Sequence, residues 1–271
     1  MGRLSTLFSP DRVAVVGATD SDGAVGRAIT ENLQASFTGD IVAVNPYKES
    51  VLGLPCHDTV ADVEADIDVA VIVVPPDVAV DSIREAGEAG IENVVVITAG
   101  FGETGTEGAA REKDLRETAA EYDLNLVGPN SLGIMSTPTG LNATFGNEMA
   151  TSGGISFMSQ SGAFVTAVLD WAAERDVGFK DIVSLGNKAV LDESDFLTHW
   201  RDDPETNVIL GYLEGVADGR AFIDTARDVT QDTPVVVVKS GRTEAGADAA
   251  SSHTGTIAGS EAAYEAAFEQ A

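Results

Sequence analysis

A single cysteine, Cys56, in 271 residues leaves no intrachain disulfide framework. That fits a reducing compartment such as the cytoplasm. No stretch approaches the about 18 apolar residues of a membrane-spanning helix, and residues 1–8 contain no apolar run of signal-peptide length. Aromatic residues make up 6%, so a core has to be built from Val, Ile, Leu and Ala. Positive charge is scarcest: 16 Lys plus Arg, five of them Lys, against 44 Asp plus Glu, a formal net charge of −28. Such a surface repels nucleic acid and anionic membranes, and neither is expected as a partner. The acids are scattered along the chain rather than gathered in a tail. This resembles the surfaces of proteins from organisms that hold molar salt in the cell, so a halophilic protein is expected. At molar salt the Debye length falls to ~3 Å and the self-repulsion is screened.

Hydrophobic residues are 44% and Gly numbers 28, as in a folded protein with many tight turns. The length suggests two domains at roughly 150 residues each. Nine short apolar runs, at 13–16, 41–44, 69–74, 94–97, 124–127, 155–158, 182–184, 208–212 and 235–238, read as strands apolar on both faces. Amphipathic stretches at 78–89, 108–122, 163–174, 193–202 and 219–230 alternate with them as predicted helices. The order β-α-β-α predicts a doubly wound α/β fold. The stretch 136–153, rich in Thr, Pro, Gly and Asn without a period, reads as the link between domains over 1–140 and 150–271.

The first strand runs into Gly17-Ala18-Thr19-Asp20-Ser21-Asp22-Gly23-Ala24-Val25-Gly26 and a predicted helix over 27–34. A strand, a Gly-rich turn and a helix N-terminus suit an anion, because backbone N–H groups and the helix dipole point at it. A tight turn without a ligand is the competing reading. A nicotinamide dinucleotide is disfavoured. Thr19 stands where the Rossmann fingerprint wants its second Gly, and Asn45-Pro46 stands where an acid would hold the ribose. Lys48 suits a ligand with an extra phosphate, or is a plain surface lysine. Three more loops sit at predicted strand ends: Val74-Pro75-Pro76, Thr98-Ala99-Gly100-Phe101-Gly102-Glu103 and Gly128-Pro129-Asn130-Ser131-Leu132-Gly133. With the Gly turn they could line one long crevice for a ligand with a phosphate end and an extended arm.

In the second half Ser159-Gln160-Ser161-Gly162 joins a strand to a helix, a second oxyanion site or a simple Ser N-cap. Near the C-terminus His253 lies in a loop of small residues, 249–260, before a predicted helix over 261–270. Small neighbours leave an imidazole accessible, which favours a nucleophilic or acid–base role. His57, in a polar turn, and His199, on a helix, read as structural or surface groups. A carboxylate orienting His253 would have to come from a strand end, and Glu214 is the best placed. No metal site is expected.

Taken in order, Phe8-Ser9-Pro10, Val15-Val16-Gly17-Ala18, Val44-Asn45-Pro46, Ser159-Gln160-Ser161-Gly162-Ala163, Ser184-Leu185-Gly186-Asn187-Lys188-Ala189, Leu213-Glu214-Gly215, Lys239-Ser240-Gly241-Arg242 and Ser252-His253-Thr254-Gly255 resemble the acyl-CoA synthetases of the NDP-forming type. The chain is similar, more distantly, to the α subunit of succinyl-CoA synthetase. The resemblance covers essentially the whole chain. It implies a Rossmann-like CoA-binding domain followed by a flavodoxin-like domain. It implies that acyl-CoA and phosphate give acyl phosphate and CoA, and that phosphate then moves to His253 and on to ADP, with Glu214 orienting the histidine. It implies that coenzyme A contacts Gly17, Ala18, Thr19, Val25, Gly26, Asn45, Lys48, Val74, Pro75, Pro76, Thr98, Ala99 and Gly100. Phosphate would sit at Ser159, Gln160, Ser161 and Gly162, and the acyl thioester would approach Asn130 and Ser131. Mg-ADP or Mg-ATP would be reached only through a partner, an ATP-grasp (β-type) domain or subunit, in an oligomer.

Three rival readings stand beside this one. An NAD(P)-dependent oxidoreductase is opposed by Thr19 and Asn45. An α/β hydrolase with Ser161, Asp224 and His253 is opposed by Ser159, where the nucleophile elbow needs Gly. A non-catalytic CoA-binding regulatory module is opposed by the presence of both His253 and Glu214.

Overall fold

The computed structural model describes residues 4–146, 148–216 and 218–240. In chain order the first elements are α1 (Ser5–Phe8), β1 (Arg12–Val16), α2 (Val25–Ser36), β2 (Asp40–Val44), β3 (Ser50–Val51), β4 (Leu54–His57), β5 (Val69–Ile72), α3 (Pro76–Glu88), β6 (Asn93–Val96), α4 (Thr106–Glu121) and β7 (Asn125–Val127). They are followed by β8 (Gly133–Ser136), β9 (Leu141–Thr144), β10 (Ser152–Ser159), α5 (Gly162–Ala173), β11 (Phe179–Ser184), α6 (Glu193–Arg201), β12 (Val208–Leu213), α7 (Gly219–Val229) and β13 (Val235–Lys239).

These form two sheets, in the orders β3-β4-β2-β1-β5-β6-β7 and β13-β12-β10-β11-β8-β9. All nine apolar runs coincide with strands; β13, at the edge of its sheet, differs from the expectation of two covered faces, with Val236 and Val238 half exposed. Alternate residues of β1 face opposite layers. Val13 and Val15 pack with Ile29 and Leu33 of α2, whereas Ala14 and Val16 pack with Ala79 and Ile83 of α3 and Leu115 of α4. The second sheet repeats the arrangement. Phe157 and Ile182 face Val165 and Leu169 of α5, and Met158 and Val183 face Phe196 and Trp200 of α6 and Phe222 of α7. One core is continuous from Val13 to Val229, so the halves share a packed interior.

The structure adds elements that the apolar runs miss. The stretch 136–153 is not a featureless link, because it holds β9 and the first residues of β10. β8 and β9 form an antiparallel hairpin whose β8 pairs with β11, Ile134 opposite Val183. Helix α2 of the first half holds this hairpin, through Asn32 Nδ2 to the Thr144 carbonyl at 2.8 Å and Ser36 Oγ to the Gly140 carbonyl at 2.7 Å. His199 stacks on Phe8, ring centroids 5.4 Å apart, and the His57 carbonyl accepts from the Asn45 amide at 2.8 Å. No described helix is long and apolar enough to cross a membrane.

Strand order reverses at the first of the parallel strands in each sheet. β1 lies between β2 and β5, and β10 lies between β11 and β12. At such switch points the crossovers diverge to opposite faces and leave a crevice at the strands' carboxyl ends. The two turns singled out in the sequence sit there, Gly17 after β1 and Gln160 after β10.

Candidate functional site

At the first switch point Gly17 has φ +99°, and its N–H donates to the Val44 carbonyl at 2.9 Å. A Cβ there would meet the Val73 carbonyl oxygen at 2.8 Å, and one at Gly26 would meet the Gly17 carbonyl oxygen at 2.3 Å. Helix α2 therefore starts in direct backbone contact with the turn. Its N-cap, Ala24, supplies no side-chain cap to the first-turn amides, as an anion-accepting helix end requires. Thr19 Oγ1 accepts from the Ser21 amide at 3.2 Å. Asn45 braces the turn, its Nδ2 donating to the Ala18 carbonyl at 2.8 Å and its Oδ1 accepting from the Tyr47 amide at 3.0 Å. Lys48 reaches the same turn, with Nζ 2.8 Å from Asp20 Oδ1. That hydrogen bond, with the attraction of the ammonium, holds the Asp20 carboxyl below its ordinary value. Arg27, which the sequence did not single out, also faces the turn, donating to the Asp20 carbonyl at 2.9 Å.

The next wall comes from the ends of β5 and β6. Thr98 Oγ1 donates to the Val74 carbonyl at 2.7 Å and ties the two loops together. Gly100 has φ +104°, and Glu103 Oε1 accepts from its amide at 2.5 Å and from that of Phe101 at 3.2 Å. Burial alone would raise the Glu103 carboxyl. Hydrogen bonds from Asn187 and from these amides outweigh it and hold the group below its ordinary value. Asn187 Nδ2 lies 2.6 Å from Glu103 Oε2 and 2.8 Å from Glu112 Oε2, bridging the two halves. Asn130, at φ +58°, donates to Asn187 Oδ1 at 3.3 Å. Ser131 is buried, its hydroxyl donating to the Ser184 carbonyl at 2.5 Å.

The floor belongs to the second half. Ser161 caps α5, its hydroxyl accepting from the Phe164 amide at 3.2 Å. Ser159 is fully buried, donating to the Ser161 carbonyl at 2.8 Å. Gln160 Oε1 accepts from the Glu214 and Gly215 amides at 2.6 and 3.0 Å, so that oxygen serves the protein rather than a ligand. Lys188 Nζ donates to Glu193 Oε2 at 2.8 Å and to the Gly215 carbonyl at 2.7 Å. Lys239 Nζ donates to the Glu214 carbonyl at 2.7 Å. Burial lowers the Lys239 ammonium below its ordinary pKa against the opposing pull of Glu214.

These pieces enclose one cleft of about 870 Å³. Of the residues expected to form sites, Val25, Val74, Pro75, Pro76, Thr98, Ala99, Asn130, Ser131, Gln160, Ser161, Gly162 and Glu214 line it. Gly17, Ala18, Thr19 and Gly26 belong to the adjoining turn, which Asn45 and Lys48 contact from the end of β2, while Gly100 and Ser159 do not line the cleft. Leu132, from a loop expected to line the crevice, lines the cleft as well, and so do Phe145, Thr166, Gly186, Asn187 and Lys188, which had been given no role. The motif around Asn187 was visible in the sequence, but its partners lie 57 to 84 residues away. His253, with Gly241, Arg242 and the 249–260 loop, lies outside the described residues. Among the described residues no cluster of His, Cys, Asp and Glu could hold a metal. The arrangement suits a long ligand. A polyphosphate end would meet the Gly17 turn and the first turn of α2, an apolar arm would lie along Val74 and Pro75, and a reactive end would reach Asn130 and Glu214.

Comparison with known proteins agrees with this geometry. A CoA binding domain family matches residues 11–137, and a succinyl-CoA ligase like flavodoxin domain family matches residues 152–271. The ADP-forming acetate–CoA ligase I of Archaeoglobus fulgidus is 49% identical over 267 residues, covering 98% of this chain and 39% of that protein. Subunit alpha of the ADP-forming acetate–CoA ligase II of Pyrococcus furiosus is 42% identical over 267 residues, covering 98% of this chain and 58% of that subunit. The solved structure of the dinucleotide forming acetyl-coenzyme A synthetase 1 of Ca. Korarchaeum cryptofilum, in complex with phosphate and ADP, matches with a TM-score of 0.95 at 45% identity, covering 100% of this chain and 58% of that one. The chain therefore spans 39 to 58% of the length of these relatives. With its CoA-binding domain followed by a flavodoxin-like domain, the chain belongs to the NDP-forming acyl-CoA synthetase family, in which it corresponds to the α, CoA-binding part.

Proposed function

We propose that this chain is the CoA-binding, phosphohistidine-carrying part of an ADP-forming acyl-CoA synthetase. The observation that carries this is one cleft, whose lining runs from Val25, at the start of α2 beside the Gly turn, to the helix end at Ser161 and the strand end at Glu214. Coenzyme A lies along it as substrate. Gly17, Gly26 and the first turn of α2 receive its phosphates, Lys48 supplies the one lysine beside that turn, and the arm passes Val74, Pro75 and Thr98 toward Asn130. Phosphate held at the N-terminus of α5, at Gly162, attacks the thioester carbonyl, and CoA leaves as thiolate. An imidazole nitrogen of His253 then attacks phosphorus, the P–O bond to the acyl group breaks, and the carboxylic acid departs. Glu214 accepts the hydrogen bond of the other imidazole nitrogen and stabilises the charge that develops there. Mg-ADP takes the phosphoryl group on an ATP-grasp domain or subunit of an oligomer. The acidic surface supports a halophilic protein, and the single cysteine supports a cytoplasmic one.

The test is to incubate the protein with acetyl-CoA and phosphate in molar KCl. Thiol release is followed together with mass spectrometry of the His253 peptide. Thiol release with phosphate on His253 supports the reading. CoA binding without either leaves a CoA-binding regulatory module instead.

A further inference from the structure

We propose that Lys188, assisted by Lys239 and Gln160, is a positioning residue that fixes the Glu214-Gly215 strand end and so aims the Glu214 carboxylate at the cleft. This rests on the phosphohistidine reading above.

The dipeptide follows β12 directly, where the sheet ladder stops supplying partners. Its four backbone polar groups are all taken by side chains. Gln160 Oε1 accepts from both amides, at 2.6 and 3.0 Å. Lys239 Nζ donates to the Glu214 carbonyl at 2.7 Å, and Lys188 Nζ donates to the Gly215 carbonyl at 2.7 Å. Two loops and the end of β13 thus hold two residues, an investment that a surface turn does not need. Lys188 and Lys239 are two of the chain's five lysines.

Lys188 is costly to place. Its side chain is 7% exposed and is paired with Glu193, which is fully buried. A buried ion pair is a weak way to gain stability, because desolvation offsets the attraction, but it fixes geometry. Lys188 also adopts φ +57°, a left-handed conformation that side chains rarely take. Strain of this kind persists where the surroundings force it, and it gathers at functional sites. The preceding residue explains the placement. Asn187 is held by Glu103 and Glu112 of the first half, so one short turn is pinned on one side to the Gly100 loop and on the other to Gly215. The 186–188 turn is thereby a spacer that sets the Glu214 strand end relative to the wall past which the acyl thioester approaches.

A carboxylate can orient an imidazole for attack on phosphorus only if its own position is fixed within a fraction of an ångström. Loss of the Lys188 donor should therefore slow transfer to His253 and leave CoA affinity alone. The experiment measures the rate of acid-labile labelling of the full chain by 32P-acetyl phosphate, with CoA affinity by calorimetry. The variants are His253→Asn, Glu214→Gln, Lys239→Met and the pair Lys188→Met with Glu193→Gln, which leaves no buried charge unpaired. In the lysine variants labelling should fall by about tenfold to a hundredfold, with CoA affinity kept within about twofold. In a Glu214→Gln background the same changes should cost less than about twofold more, since they act through Glu214. An unlabelled wild-type protein overturns the phosphohistidine reading and this inference with it. A labelled wild type with unchanged rates in the lysine variants, or a loss that adds in full to that of Glu214→Gln, overturns the inference alone. If the Lys188 pair fails to fold, Lys239→Met carries the same comparison.

Discussion

Replacement of Gly26 by Ala sets two effects of opposite sign against each other. Gly26 lies in the first turn of α2, where Gly→Ala ordinarily stabilises a helix by about 0.5–1 kcal/mol. Here the new methyl would sit 2.3 Å from the Gly17 carbonyl oxygen and 3.2 Å from the carbonyl carbon. That is about 1 Å inside ordinary contact. Backbone must move, because the neighbour is not the end of a flexible side chain. The Gly17 peptide has little room to retreat, since a Cβ there would lie 2.8 Å from the Val73 carbonyl oxygen. Overpacking of this kind costs about 1–3 kcal/mol, which outweighs the gain in propensity. If the displaced peptide is part of the phosphate turn, CoA affinity falls as well. At tenfold per about 1.4 kcal/mol, the loss should be on the order of ten- to a hundredfold. Gly23→Ala is the control. It has φ +74° and nothing within 4 Å, so it should cost stability through conformation alone, with a smaller loss of affinity. Urea unfolding and calorimetry of both variants decide the matter. A Gly26→Ala protein as stable as the wild type, with the same CoA affinity, would refute the close-approach argument.

Other outcomes follow from the same structure. Lys188→Met alone should destabilise by about 3–5 kcal/mol, because it takes the ammonium away from the buried Glu193 carboxylate; restoring much of this with Glu193→Gln checks the cause by denaturant unfolding. Burial lowers the His199 pKa below its ordinary 6.5. The folded state therefore favours the neutral ring while the unfolded chain protonates near pH 6.5. The contribution is complete above pH 6.5 and is lost as pH falls from there toward the folded value. Melting temperatures between pH 7.5 and 5.5 should thus fall more steeply for the wild type than for His199→Gln. With a net charge of −28, stability should drop when KCl is reduced from molar to about 0.1 M, as the Debye length grows from about 3 to 10 Å; a salt-independent melting temperature would contradict the halophilic reading.

Sequence reasoning was strongest where a run of Val, Ile and Leu is buried on both faces, because tertiary packing and local pattern then agree. It was weakest where pairing rather than composition makes the strand. β3 and β4 flank a tight turn at Leu52 and Gly53, with φ +50° and +83°, and a two-residue strand carries no period. The β8–β9 hairpin hides in a Thr-, Pro- and Gly-rich stretch, and its Asn142 and Thr144 are buried because α2 covers them. Within the site, the turns at both switch points could be read from strand, small residues and helix alone. The work of Gln160 could not. Its oxygen meets amides 54 and 55 residues away, and nothing local separates that from a phosphate contact. Lys188 was missed for the same reason, with its carbonyl partner 27 residues on.

The central claim is that the Gly turn and the cleft beside it receive coenzyme A rather than a nicotinamide dinucleotide. Calorimetric titration of CoA and, separately, of NADH into the protein in molar KCl tests it most directly. Saturable binding of CoA at one site per chain, with no heat from NADH, is the predicted result; NADH binding without CoA binding would contradict the account.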